Sequence, residues 1–324
     1  MGNLTVAVLG SAGYAGNLGK KGTSTDITFY NLKKDDATIT FIEPSRYPER
    51  LAPLYYAVSL AKKAIIAVDE VNSTLGECIV MLQVAGITSG YFVLRNYVSK
   101  EKILPLIKGT SLENFEIIND DPIQLREQLL VEATKEKTPE LATGQQPIGI
   151  VPVDHAFNVK GVGVVVLGVV ANGFIQKHAT LNVLPSIGKT TQVRSIQKHD
   201  EEWDLSNEGD RVGLALKGID VEDLDRGTVL TNDSSVKTNK TLKGEAQLIK
   251  YWPSPLKQDM VMHIGHWTQF LTAKIDTVTE ETDFRKTTIT LTLDKPLAYR
   301  TGDKATLMYL EGAKLRIAGT ITLT

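Results

Sequence analysis

The spacing of apolar residues changes character near the middle of the chain. Up to residue 135, short apolar runs alternate with longer segments of helical spacing. Leu4–Leu9, Thr38–Ile42, Ala64–Val68, Gly90–Leu94 and Phe115–Ile118 have the length and content of strands. Tyr56–Lys62, Thr74–Ala85, Lys100–Lys108 and Ile123–Thr134 read as helices, the last with Asp121-Pro122 as cap and first-turn proline. Such alternation predicts a parallel sheet with crossover helices.

Residues 136–147 lose all periodicity and read as a linker. From Ile148 onward the rhythm is short strands punctuated by NG, GD, DRG and TGD turns, the signature of all-β structure. Val162–Val170 is a glycine-interrupted run of β-branched residues that suits a buried barrel strand. The polar stretch Val236–Lys243 reads as the join between two β domains. The expected organisation is therefore an α/β domain at 1–135, a linker at 136–147, and β-barrels at 148–236 and 237–324.

Composition adds limits. The 324 residues are 42% hydrophobic and 23% charged, with a net charge of −2, so no global field attracts nucleic acid and any RNA contact needs a local patch. The single cysteine, Cys78, lies in an apolar run and is expected to be a reduced core residue. No stretch has the ~20 apolar residues of a membrane helix, and the start carries no basic segment of a signal peptide. A cytoplasmic protein with neither a DNA nor a membrane partner is expected.

Two segments, Gly161-Val-Gly-Val-Val-Val-Leu-Gly168 and Gly218-Ile-Asp-Val-Glu-Asp-Leu-Asp-Arg-Gly227, resemble the second domain of the translational GTPases, elongation factor Tu and its kin. Within that family the likeness is to the selenocysteine-specific branch and to an archaeal factor proposed for pyrrolysine. The C-terminal run beginning ITLTLDKPLAYRTGDK resembles the third domain. The resemblance implies a P-loop-GTPase-like parallel-sheet domain followed by two β-barrels.

It also implies nucleotide motifs, and these are degenerate. The family's GxxxxGK[ST] loop cradles phosphates on backbone N–H groups, with its lysine on the β/γ-phosphates and its hydroxyl on magnesium. Here Gly10 and Gly13 lie in the loop, but Ala15 replaces the second glycine, Gly16 the lysine and Asn17 the hydroxyl. A compressed switch, Lys21-Gly-Thr-Ser24, leaves Ser24 as a weak magnesium ligand. It also predicts a short turn over Leu18–Gly22 with no ordinary helix before the next strand. The magnesium and γ-phosphate motif DxPG falls at Glu43-Pro-Ser-Arg46, and the water-positioning histidine at Tyr47. The guanine-reading NKxD falls at Asn96-Tyr-Val-Ser99 and keeps only its asparagine. Three lost charged bonds at roughly 1.5–3 kcal/mol each remove roughly 4–9 kcal/mol, or about three to six decades of affinity. The expected cofactor is none, or GTP with magnesium held weakly. GTPase activity is expected to be absent or very weak, and no metal site is expected.

Other constellations compete. Gly10–Gly16 also resembles the glycine turn of NADP-dependent semialdehyde dehydrogenases, but Gly19 and Gly22 interrupt the helix that should follow, and Cys78 is placed wrongly for their nucleophile. His263-Ile-Gly-His266 spells the HIGH signature of class I aminoacyl-tRNA synthetases, in a β-rich region where that motif does not belong. Asp200–Asp204 reads as a solvated hairpin end around Trp203. By the resemblance, Asp223 and Arg226 lie against the 3′-terminal adenosine of aminoacyl-tRNA, although a structural ion pair explains them equally well. Lys237, Lys240, Lys243 and Lys250 form a stripe that could neutralise RNA phosphates or simply be solvated. The expected function is an elongation-factor-like protein binding tRNA or aminoacyl-tRNA, with that of a specialised amino acid as one candidate and the ribosome as a further partner. A pseudo-GTPase scaffold or regulator contacting the ribosome or another translation factor is the alternative, and an NADP oxidoreductase the third.

Overall fold

The computed structural model describes residues 2–136, 139–279, 282–311 and 315–324, so Lys137 and Thr138 of the expected linker lie outside the described residues. The chain forms two compact units. The first comprises Met1–Lys137 with Tyr309–Ile317, and the second Thr138–Met308 with Ala318–Thr324.

The first unit is built on one sheet. Its strands are β1 (Gly2–Gly10), β2 (Lys20–Ser24), β3 (Ile27–Lys34), β4 (Ala37–Pro44), β5 (Lys63–Val68), β6 (Gly90–Leu94) and β7 (Glu116–Asn119), in the order β2-β3-β4-β1-β5-β6-β7. From β4 to β7 the pairings are parallel. β1, β4 and β5 are buried on both faces, which is why they read as continuous rather than alternating apolar runs. The helices are α1 (Ala52–Ser59), α2 (Ser73–Val84), α3 (Lys100–Ile107) and α4 (Pro122–Lys135). Asn72 caps α2 by accepting from the Leu75 amide, and Asp121 caps α4 by accepting from Ile123 and Gln124, with Pro122 in the first turn. The core on one face joins Val6, Val8, Phe41 and Ile65 to Leu125 and Leu129 of α4.

Two strands here escape the sequence pattern. β2 and β3 form an antiparallel hairpin laid against β4, filling the region expected to hold a truncated switch. Only the four-residue 3-10 turn Tyr14–Asn17 separates β1 from β2, so the expected absence of a helix holds. The expected turn over Leu18–Gly22 is shorter than predicted, because Lys20 and Lys21 already pair with Asn31 and Tyr30 of β3, and Gly22 lies at the irregularity that follows.

The second unit holds two barrels. The first has strands β8 (Gly149–Val159), β9 (Gly163–Val169), β10 (Asn172–Gln176), β11 (Thr180–Leu184), β12 (Thr190–Lys198), β13 (Glu201–Trp203), β14 (Leu205–Asn207), β15 (Arg211–Lys217) and β16 (Val229–Thr231). The ring β8-β16-β11-β12-β15-β9 closes through the β8–β9 pairing, while β10 and β14 extend from β8 and β13 pairs with β12. Val151, Val166, Leu181, Val193 and Leu214 fill its interior. The other barrel comprises β17 (Lys237–Leu248), β18 (Val261–His266), β19 (Gln269–Val278), β20 (Lys286–Tyr299), β21 (Lys304–Met308) and β22 (Ile317–Leu323), in the closed order β17-β20-β19-β18-β21-β22. Among the described residues of the two barrels the only helical element is the 3-10 turn Val221–Asp223. The polar stretch expected as a join is itself structured, since Lys237–Leu248 is a barrel strand. An apolar seam of Ile150, Val229 and Ala298, with Leu184 and Trp267 packed on it, lies within this unit.

Candidate functional site

In the first unit the order of the parallel strands reverses at β1. β4 lies on one side of it and β5 on the other, so the crevice at the carboxyl end of β1 is the expected ligand position of such a fold. The loop leaving that strand begins at Gly10, whose φ is +90°. A Cβ there would fall 2.2 Å from the Ala67 carbonyl oxygen, so no other residue fits. Gly13, also left-handed at φ +81°, starts the turn Tyr14–Asn17.

That turn aims its amides inward, and a carboxylate meets them. Glu43, buried at 7% exposure at the end of β4, accepts from the Gly13 amide at 2.7 Å and from the Ala15 amide at 3.0 Å, one bond per carboxylate oxygen. These are two of the backbone donors that a phosphate would take in a loop of this pattern. Gly16 and Asn17, at the positions of the absent lysine and hydroxyl, are exposed. A Cβ on Gly16 would stand 3.7 Å from the Tyr30 ring. Burial, and then the nearby charge of Glu43, push the Tyr30 hydroxyl pKa upward. Ser24 is exposed and exchanges a hydrogen bond with Thr28 at 2.9 Å; Thr28 in turn bonds Ser45 at 2.6 Å. Lys20 and Lys21 are exposed on β2.

On the β5–β6 side the same crevice is bridged by Arg95. Its guanidinium donates to Asp120 at 2.8 Å, to Asp69 at 2.9 Å and to Ser11 at 2.6 Å, and Tyr14 donates to the other Asp120 oxygen at 3.0 Å. Asn96, the remnant of the guanine-reading motif, donates to Asp69 at 3.2 Å and is thus tied into this network. Burial, reinforced by Asp120, raises the Tyr14 pKa, so the phenol remains a donor. Arg95 sits directly before Asn96 and was not singled out from sequence; its signal was a basic residue at the carboxyl end of an apolar strand.

Tyr47 is tied to α2. Its hydroxyl donates to the Thr74 carbonyl at 3.0 Å, and the Arg316 guanidinium lies 5.9 Å from its ring centre. Arg316 grips Glu77 with two nitrogens, one at 2.9 Å, and also donates to the Pro48 carbonyl. Arg46 is exposed. Cys78 is buried, and burial pushes its thiol pKa up to about 12.

In the first barrel the expected pair Asp223 and Arg226 is divided. Asp223 holds Lys189 at 2.5 Å on the wall of a cleft of about 530 Å³ lined also by Gly188, Gly218 and Asp220. Arg226, half-buried, donates through Nε to the Asp154 carbonyl at 3.2 Å. The Asp154 side chain, fully enclosed, receives both terminal nitrogens of Arg211, one at 2.9 Å, and meets His155 Nδ1 at 2.5 Å. Burial alone would raise the Asp154 pKa; Arg211 and His155 outweigh it and hold the carboxyl below its usual value. This cluster was missed from sequence, where an Asp-His pair inside an apolar strand was the available signal.

The lysine stripe is split as well. Lys237 reaches the Thr324 carbonyl at 3.3 Å and lies over the Tyr299 ring, whereas Lys240, at a bulge in β17, and Lys243 are exposed. His263 and His266 occupy β18, with His266 bonded to Asp303 at 3.1 Å and His263 against Phe270, so the HIGH tetrapeptide is barrel wall. Asp200 is at a left-handed turn between β12 and β13, with Trp203 under Lys198. Among the described residues no cluster of His, Cys, Asp and Glu could hold a metal, and no helix is long and apolar enough to cross a membrane.

A family model described as elongation factor Tu domain 2 matches residues 163–231. The chain is 39% identical over 325 residues to an uncharacterized protein of Methanocaldococcus jannaschii, covering 98% of this chain and 99% of that one. It is 26% identical over 266 residues to the selenocysteine-specific elongation factor of the same organism. That match takes in 76% of this chain, which spans 56%, about half, of that relative's length. Among solved structures it is similar to translation elongation factor SelB from Methanococcus maripaludis in complex with the GTP analogue GppNHp. The TM-score is 0.83 at 21% identity, over 100% of this chain and 79% of that one. A bacterial selenocysteine-specific elongation factor matches with a TM-score of 0.77 at 20% identity, over 100% of this chain and 58% of that one. At these identities the likeness to the solved structures is one of fold.

Proposed function

The chain belongs to the translational GTPase family, on the side of the selenocysteine-specific elongation factors, and on that premise we propose that it binds tRNA or aminoacyl-tRNA in the cytoplasm without a GTP cycle of its own. The carrying observation is a contrast between the two units. The barrel that matches elongation factor Tu domain 2 is closed and fully packed, while the loop that should take phosphate is met by the chain's own Glu43. The half-buried Arg226, fixed beside Asp154 and Arg211, supplies a cation suited to the ribose or phosphate of an acceptor end, and the exposed Lys240 and Lys243 are further candidates for the RNA backbone. GTP with magnesium is at most a weak ligand, because the lysine and the metal hydroxyl are Gly16 and Asn17. The ribosome is the further partner in this reading.

Filter binding with aminoacylated and deacylated tRNA, each with and without GTP and magnesium, tests it. Equal affinity for aminoacyl-tRNA in both nucleotide conditions is the expected result. No affinity for either RNA overturns the carrier reading and leaves a regulator that contacts the ribosome or another factor.

A further inference from the structure

We propose that Glu43 is a built-in substitute for a bound phosphate, a tethered anion that holds the loop after β1 and the strap after β4 in one nucleotide-independent arrangement. The inference stands whether or not the chain carries tRNA.

The geometry is that of an occupied anion cradle. Two convergent amides two residues apart, Gly13 and Ala15, each donate to a separate oxygen of one buried carboxylate, at 2.7 and 3.0 Å. The loop can adopt this shape because Gly10 and Gly13 are left-handed and Gly10 has no room for a side chain against Ala67. β4 lies beside β1 in parallel register, with Ala7 opposite Ile42, so the residue after Ile42 emerges next to the loop. A group tethered this way competes at an effective concentration of the order of mM or more, before any charge is counted. An incoming phosphate would have to expel it and would find Gly16, beside the Tyr30 ring, where a lysine should stand.

Glu43 is also one end of a strap. The residues that follow it run to Tyr47, bonded to the Thr74 carbonyl, and Pro48, whose carbonyl accepts from Arg316. Ser45 is fixed on the way, its amide on the Asp26 carbonyl and its hydroxyl on Thr28. By the alignment of motifs this is the segment that would follow the γ-phosphate. Here it is secured at its start by the loop and at its far side by Thr74 and Arg316.

Amide hydrogen exchange on the full chain tests the assignment, with Glu43→Ala and Glu43→Gln beside the wild type. Protection at Gly13 and Ala15 is expected in the wild type and should fall about tenfold or more in Glu43→Ala, the loss of a charge-assisted bond at each amide. Added acetate or inorganic phosphate should restore part of that protection in Glu43→Ala and none in the wild type, whose melting temperature should not move with GTP and magnesium. Fast exchange of either amide in the wild type overturns the proposal. So does unchanged protection in Glu43→Ala, exposed amides that answer to neither anion, or a wild-type melt raised by GTP. Should Glu43→Ala not fold, Glu43→Gln, which keeps one acceptor oxygen, is expected to lose protection at one of the two amides and not the other. Full protection at both in Glu43→Gln counts against a charged anion.

Discussion

Glu77 and Arg316 are 239 positions apart in the chain and meet as a two-pronged ion pair, with Arg316 at 21% and Glu77 at 9% side-chain exposure. Removing one partner leaves the other charge half-desolvated. Glu77→Gln or Arg316→Ala should destabilise the protein by about 2–4 kcal/mol, slightly under the range for breaking a fully buried pair. Urea unfolding measures it, and the double variant Glu77→Gln/Arg316→Gln should be less destabilised than the sum of the singles. Additive effects would mean that the pair is not coupled.

Asp154 sets a pH dependence. Its folded pKa lies below the unfolded value of about 3.9. A depressed carboxyl contributes stability that is fully present above the unfolded pKa and is lost as pH falls through the folded one. Asp154→Asn is therefore expected to cost about 3–5 kcal/mol at pH 7, by leaving Arg211 unpaired, and progressively less below pH ~4. Denaturation curves from pH 7 down to 3 for both proteins should converge; parallel curves would contradict this.

Arg226→Ala should weaken aminoacyl-tRNA binding by about 1–3 kcal/mol, the value of a charged hydrogen bond. Arg226 also donates to the Asp154 carbonyl, so circular dichroism of the variant is recorded beside the binding measurement, and an unchanged spectrum is expected. An unaltered tRNA affinity would take Arg226 out of the interface.

Cys78 should be silent to thiol reagents in the folded protein. With its pKa pushed up to about 12 by burial, almost no thiolate exists at pH 8 and no path reaches it. Labelling with a chromogenic disulfide should appear only with unfolding, and its rate should track the unfolding rate. Rapid labelling of the native chain would show that α2 opens.

The isolated protein should release no phosphate from GTP, with or without ribosomes, since Gly16 and Asn17 stand where the loop's lysine and metal hydroxyl would stabilise the transferring group. Gly16→Lys by itself should not restore turnover while Glu43 keeps the amides. Calorimetry followed by a phosphate-release assay checks both steps; micromolar binding with ribosome-stimulated turnover would refute the expectation.

Much of the fold was legible in the sequence. β6 matches its expected span, Gly90–Leu94, and the four helices fall within a few residues of theirs, because apolar period and caps such as Asp121-Pro122 are local signals. β3 was not legible. Ile27-Thr-Phe-Tyr30 is buried at every position, so it shows no alternation, and it lay unassigned between the compressed switch at Lys21–Ser24 and the strand expected at Thr38–Ile42. The site was legible only as losses. The bonds of Glu43 to Gly13 and Ala15 span 30 and 28 positions, and the Arg211 bonds to Asp154 span 57, distances at which nothing in residue spacing announces a partner. The VEDLDRG segment suggested one site; the chain's path sends Asp223 to Lys189 and Arg226 to Asp154 instead.

Gly10 has a wider implication. Its hydrogen faces a carbonyl oxygen 2.2 Å from where a methyl group would begin, so the residue is dictated by the neighbouring strand and not by any guest of the loop. Shape and chemistry are thereby uncoupled. A lysine can be exchanged without touching the backbone, whereas the glycine cannot change without forcing β1 and β5 apart. Gly10 therefore reports how tightly β1 and β5 approach, a demand of the architecture that holds whatever chemistry the loop carries.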